Sequence, residues 1–155
     1  MALGTVVKMD SAMGSFTLHK NSANQPYFLA GGIGITQFFS IVRQADYDHA
    51  PHKLHFFYSN RRPEDAASSK SLQVLERTNP NFRLIATMTE MRQSMKWSGE
   101  TGWIDEETLW RHLSELRGPI FYIAGPPAMV RGMRKMLVAA EVDEDDIRTE
   151  EFAGY

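Results

Sequence analysis

Tyr27-Phe28-Leu29-Ala30-Gly31-Gly32-Ile33-Gly34-Ile35-Thr36 is the stretch on which the fold turns. Its first four residues are a short, wholly apolar run, which suits a strand buried on both faces of a parallel sheet. Glycines follow, and then residues 35–45 place Ile35, Phe38, Phe39, Ile41 and Val42 at helical spacing. The same order of strand, turn and helix recurs downstream. Leu54–Tyr58 reads as a second strand, and Glu64–Arg77 as a helix with Ala66, Ala67, Leu72 and Leu75 as its apolar positions. Phe82–Thr87 is a third strand, followed by a polar loop through Trp97, Gly99 and Gly102. Asp105 is placed to cap a helix that contains Thr108 and Leu109. Ile120–Ala124 is a fourth strand, Gly125-Pro126-Pro127 opens a helix over Ala128–Ala140, and Asp146–Phe152 is a last strand. Alternation of this kind predicts an α/β fold, a three-layer parallel β-sheet with helices on both faces.

Upstream, Thr5–Met9 and Ser15–His19 read as two short strands joined by the turn residues Asp10–Gly14, a β-hairpin. Asn21–Pro26 is a loop or linker. At 155 residues the chain fits one ordinary domain. A hydrophobic fraction of 43% and a charged fraction of 23% are those of a globular protein. With 17 basic and 19 acidic residues the formal charge is −2, so neither nucleic acid nor an anionic membrane is expected as partner. The absence of cysteine excludes disulfides, thiolate catalysis and cysteine-ligated metal, and fits a reducing compartment. No run of about 18 apolar residues is present. Lys8 and Asp10 fall where a signal peptide needs an apolar run, so cytoplasm is the expected location.

In open parallel sheets ligands bind beyond the carboxyl ends of the strands. That rule selects the turns Gly31–Thr36, Ser59–Arg62, Thr87–Arg92 and Gly125–Met129. The first reads two ways. Glycines allow close backbone approach, and a helix start offers free N–H groups and partial positive charge, so the turn suits a pyrophosphate, with the Thr36 hydroxyl as a further donor. Equally, it is a tight strand–helix turn with Thr36 as N-cap and no ligand. It is neither the dinucleotide fingerprint, since Gln37 stands at the third glycine position, nor a P-loop. Gly125-Pro126-Pro127 is a second such junction, with proline placed where a helix start leaves its N–H unpaired anyway.

Three segments together carry a family resemblance. Phe28–Thr36 resembles the pyridine-nucleotide motif of the ferredoxin–NADP reductase family, Ile123-Ala124-Gly125-Pro126-Pro127-Ala128-Met129 its second motif, and Glu150-Glu151-Phe152-Ala153-Gly154-Tyr155 its acidic-aromatic end. Gly4–Leu18 is similar to the last strands of that family's flavin barrel. The resemblance implies residues 1–25 as the partial end of a flavin barrel and linker, and 26–155 as an NAD(P)-binding domain. It implies hydride transfer from NAD(P)H to FAD or FMN, with electrons passed on to a ferredoxin or haem acceptor. Gly31, Gly32, Gly34 and Thr36 are then expected at the pyrophosphate. Asn60, Arg61 and Thr89 fall on the adenosine side, and Gly125, Pro126, Pro127 and Met129 on the nicotinamide side. Glu151, Phe152 and Tyr155 are expected at the nicotinamide–flavin junction as the catalytic group.

The sequence departs from the family in four places. Gln37 replaces the usual proline, and Ala124 stands where many members have cysteine. Only 26 residues precede Tyr27, where a flavin domain needs on the order of 100. The family's flavin motif, Arg-x-Tyr-(Ser/Thr), is absent. Flavin is therefore expected from a flavin domain or another chain, and the isolated chain is expected to be inactive. The alternative is a stand-alone nucleotide-binding or regulatory module, or a truncated domain, without redox chemistry. Arg61 and Arg62 could pair with a 2′-phosphate, whereas Glu90 would repel it, and the balance leans to NADH. Gly34→Val is expected to weaken nucleotide binding and spare the fold. His49, His52 and His55 invite a metal reading, which Pro51 and the strand around His55 oppose. The acidic run Glu141–Asp146 reads as a solvated loop, and Met129, Met133 and Met136 as core.

Overall fold

A computed structural model describes residues 16–66, 69–91 and 96–152. The strands are β1 (Pro26–Gly31), β2 (Leu54–Asn60), β3 (Phe82–Met88), β4 (Glu100–Thr101), β5 (Ile120–Gly125) and β6 (Ile147–Glu151). The helices are α1 (Ile35–Tyr47), α2 (Ser69–Thr78), α3 (Glu106–His112) and α4 (Pro127–Ala139). All strand pairs are parallel, in the order β4-β3-β2-β1-β5-β6. The predicted doubly covered sheet is thus present.

Every residue of β1 and β5 is buried, which is why both read as unbroken apolar runs. Their side chains alternate between two cores. Tyr27, Leu29, Phe121 and Ile123 join Leu109 of α3 and Val130, Met133 and Leu137 of α4 on one face. Phe28, Ala30, Tyr122 and Ala124 join Ile35, Phe38 and Val42 of α1 and Leu72 and Leu75 of α2 on the other. Met133 is buried, and Met129 and Met136 pack against the first core, in keeping with their helical spacing.

Several boundaries differ from expectation. Ser15–His19 does not supply a strand: residues 16–19 lie outside the sheet, and Thr5–Met9 lies outside the described residues. The alternation there reflects packing rather than pairing. Phe16 stacks 5.6 Å from Phe38 and meets Tyr122 edge-on at 5.6 Å. The Tyr122 hydroxyl accepts from the His19 N–H at 2.9 Å and from Arg148 at 3.0 Å, and donates to the Thr17 carbonyl at 3.2 Å. The expected helix Glu64–Arg77 divides into a 3-10 turn, Pro63–Asp65, and α2. The loop through Trp97 contains an unforeseen strand, β4, joined to β3 at Thr87 and Met88 only. Where β4 does not reach, the Leu84 N–H is taken by the Glu76 carboxylate at 2.8 Å. Asp105 caps α3 as expected, accepting from the Thr108 N–H at 2.8 Å. The run Glu141–Asp146 contains a 3-10 turn, Glu144–Asp146, and exposed ion pairs of Glu141 with Arg117 and of Glu144 with Arg134.

Of the three spaced histidines, His52 and His55 pack against different partners. His55 stands edge-on to Tyr27 at 5.2 Å, and His52 edge-on to His19 at 5.1 Å. Neither ring nitrogen of buried His52 has a hydrogen-bond partner. Burial is the chief cause that holds the His52 imidazole below its ordinary pKa. The unfolded chain then binds protons more readily than the folded one, so stability falls as the pH drops below the ordinary imidazole range. Stability measured by urea unfolding should decline between pH 8 and pH 5, by at most about 1.4 kcal/mol per pH unit for each such proton, and His55, held low by burial in the same way, contributes to the same decline. His52→Phe should reduce that decline, and an unchanged slope would remove His52 as one of its sources.

Candidate functional site

The strand order reverses at β1, with β2 on one side and β5 on the other. Beyond the carboxyl ends of β1 and β5 lie the two glycine turns, and such a reversal point is where open parallel sheets hold ligands. Gly31 ends β1, and Gly32–Gly34 form a 3-10 turn that leads directly into α1. Gly32 has φ +52, a left-handed conformation that suits glycine, and a β-carbon there would meet nothing within 4 Å. The backbone of Gly32 therefore faces open space at the start of a helix, where free N–H groups and partial positive charge favour an anion.

Gly34 has a different task. A β-carbon on it would sit 2.5 Å from the Ala124 carbonyl carbon and 2.8 Å from the Gly125 nitrogen. It is the point at which the helix start presses onto β5. Ala124, small and fully buried, is the residue beneath it. Gly31 and Gly125 lie under Met129: a β-carbon on Gly125 would be 2.8 Å from Met129 Cε and 3.0 Å from the Gly31 carbonyl oxygen. The two glycine turns and Met129 thus form one packed unit, with Pro126 as the N-cap of α4 and Pro127 as its first residue.

Thr36 is not the N-cap. Gly34 holds that position, and the Thr36 hydroxyl donates to the Ile33 carbonyl at 3.0 Å. The expectation that Gly34→Val would spare the fold is also overturned, because the branched carbon would enter backbone rather than a ligand space.

The turns after β2 and β3 are joined to each other. Thr89 N–H donates to the Asn60 carbonyl at 2.9 Å and Glu90 N–H to the Arg61 carbonyl at 2.8 Å. The Asn60 amide nitrogen is buried and has no hydrogen-bond partner. Arg61 and Glu90, both exposed, face each other at 3.7 Å, and Arg62 pairs with Asp65 at 2.9 Å.

At the end of β6, the Phe152 N–H donates to the Gly125 carbonyl at 3.0 Å, and Phe152 packs against the α1-side core. Glu151 is exposed, 3.5 Å from Arg131. Tyr155 lies outside the described residues. Of the expected residues, the structure brings Gly31, Gly32, Gly34, Thr36, Gly125, Pro126, Pro127, Met129, Glu151 and Phe152 to one edge of the sheet. Asn60, Arg61 and Thr89 stand farther along the same edge.

A partner not foreseen from the sequence is Gln37, whose Nε2 donates to Glu150 Oε2 at 2.5 Å across 113 positions. Its signal was the departure from proline. Two concavities lie elsewhere. One, of about 390 Å³, involves Asp46, His49 and Asn81 at the amino ends of the strands. The other, of about 290 Å³, runs along the outer edge of β3 beside His112.

The oxidoreductase NAD-binding domain family matches residues 28–135, more than two thirds of the chain. The chain belongs to that family. The F subunit of the Na(+)-translocating NADH-quinone reductase of Klebsiella pneumoniae is 28% identical over 155 residues, covering 97% of this chain and 38% of the relative. Its counterpart in Yersinia pestis gives the same identity and coverage. The chain thus spans well under half the length of these curated relatives. Among solved structures, Amycolatopsis cytochrome P450 reductase GcoB has a TM-score of 0.78 at 18% identity, covering 97% of this chain and 46% of that one. The ferredoxin reductase in carbazole 1,9a-dioxygenase has a TM-score of 0.71 at 25% identity, covering 86% and 39%.

An NAD-binding domain of this build has a helix start that cannot be moved off the sheet. Gly34→Ala should cost about 2–3 kcal/mol and lower Tm by roughly 4–12 °C. Gly31→Ala should cost less, because it meets chiefly the end of the Met129 side chain, which can turn away. Thermal unfolding of both variants checks the order, and equal losses would contradict it.

Proposed function

We propose that residues 26–155 bind NADH at the carboxyl edge of the sheet and present its nicotinamide to FAD or FMN held by polypeptide outside them. The observation that carries this reading is Gly32, left-handed and open, at the start of α1 where the strand order reverses. Gly31, Gly32 and Gly34 shape the pyrophosphate turn, and the backbone N–H groups of the first turn of α1 receive the charge. Thr36 acts there through its backbone, its hydroxyl being engaged by Ile33. The unpartnered amide of Asn60, with Arg61 and Thr89 beside it, suits a ribose or adenine edge. Gly125, Pro126, Pro127 and Met129 line the nicotinamide side. Glu151, Phe152 and Tyr155 stand toward the flavin, with Phe152 fixed by its bond to Gly125. A bound reduced nicotinamide supplies a hydride for the flavin.

Residues 1–25 are read as the end of a flavin barrel with its linker. The contacts of Phe16 with Phe38 and of His19 with Tyr122 are of the kind a linker packed on the nucleotide domain would make. Among the described residues no helix is long and apolar enough to cross a membrane, and a cytoplasmic setting is part of the proposal. The onward acceptor belongs to the class of ferredoxins or haem proteins. That class is suggested by the cytochrome P450 reductase and the dioxygenase ferredoxin reductase among the structural relatives.

Both arginines at the adenosine end already have acidic partners, so a 2′-phosphate would have to displace a carboxylate. Fluorescence titrations should therefore show NADH binding more tightly than NADPH. Glu90→Gln should narrow the gap by roughly two- to fivefold, in line with an exposed pair. Tighter NADPH binding by the unaltered chain would reverse the choice of nucleotide.

Hydride transfer needs the two rings at near-attack distance, and positioning of that kind supplies ~7–11 kcal/mol of a barrier. With free FAD or FMN the chain alone should give little NADH-dependent ferricyanide reduction. A flavin domain supplied from a relative should raise the rate by orders of magnitude, and Phe152→Ala should then change turnover more than Tm. Saturable turnover by the chain alone would refute the division of labour.

A further inference from the structure

Ala30, Ala124 and Glu150 lie in one row across β1, β5 and β6. The start of α1 sits on this row, with Gly34 against the backbone of Ala124. The first two members are small and allow the helix to come down. The third is a carboxylate. Gln37, on the first turn of α1, donates from Nε2 to Glu150 Oε2 at 2.5 Å. Its Oε1 is buried and has no hydrogen-bond partner. An amide oxygen buried without a donor is costly, so this side chain is not placed there for its own stability. What it secures is the acid. The same strand end is held a second time, by the Phe152 N–H on the Gly125 carbonyl.

We propose that Gln37 is a positioning residue for nucleotide binding, pinning the Glu150 carboxylate to the flank of α1 and so keeping it off the pyrophosphate turn. The inference rests on the NADH reading above. A pyrophosphate and a carboxylate compete for the same N–H groups and the same positive end of the helix dipole. Glu150 is level with Ala124, directly beside the residue that carries Gly34, so a released carboxylate has that helix start within reach. A proline at position 37, as the family resemblance would have, has no donor and could not restrain an acid here. In this chain the acid and the amide therefore belong together.

The test is NADH binding to the chain by fluorescence titration, with thermal unfolding alongside. Gln37→Met removes the donor and should weaken NADH binding by roughly tenfold or more, the low end of the worth of a hydrogen bond to a charged group. That loss should shrink as salt is raised, because the freed carboxylate acts through charge. Gln37→Glu sets two carboxylates together and should weaken binding further. Exchanging the pair, Gln37→Glu with Glu150→Gln, restores a donor facing an acceptor and should return affinity to within about twofold. If the exchange restores Tm but not affinity, or if Gln37→Met binds NADH like the unaltered chain, the link is merely structural and the assignment fails while the NADH reading stands. If the unaltered chain binds no NADH, the nucleotide reading fails, and this assignment with it.

Discussion

Between Gly34 and the backbone of Ala124 there is no room for a β-carbon, and most of the molecule's working edge follows from that contact. It sets the helix start of α1 directly on β5, at the place where the strand order reverses. Because the helix is seated so low, Ala30 and Ala124 beneath it are small. The turn that precedes it must bend sharply, through a left-handed Gly32 that faces open space. The second glycine turn closes against the first through Gly125 and Met129, and the tail of β6 is tied to that second turn through Phe152. One steric constraint thus brings two loops and a strand end to a common edge.

The sheet was legible because of what covers it. β1 and β5 are buried on both faces, so they appear as apolar runs bounded by glycine or proline, and no other described element has that pattern. The errors fall where periodicity had another cause. Residues 16–19 alternate because Phe16 and Leu18 turn toward the α1-side core, while His19 is held by Tyr122. Alternation reports which side is buried, not whether a neighbouring strand exists. β4 was invisible for the opposite reason. Two residues carry no period, and their pairing depends on the chain passing close to β3 at Gly99, where a β-carbon would lie 2.7 Å from the Ala86 carbonyl oxygen.

For the site, the glycine turn was legible as a turn but not in its division of labour. Gly32 and Gly34 are two letters apart and identical, yet one is shaped by backbone dihedral and open space, the other by a strand pressing from below. Only packing separates them. The Gln37–Glu150 pair is less legible still, since its partners come together only when β6 joins the sheet beside β5. By contrast, Arg61 and Glu90 were both expected at the adenosine end, because they follow adjacent strands, and only their pairing with each other was unforeseen.

The outer margin of β3 carries a consequence of a different kind. Along most of its length no strand among the described residues lies beside it, and the Glu76 carboxylate occupies the Leu84 N–H. A bare margin of a parallel sheet is a template for any extended chain that reaches it. Here a side chain from the neighbouring helix takes up a donor that an incoming strand would need, and adds a charge that such a strand would have to bury. Among the described residues the Glu76 carboxylate thus works against extension of the sheet at Leu84, and a neutral residue at position 76 would leave that N–H open to an incoming strand.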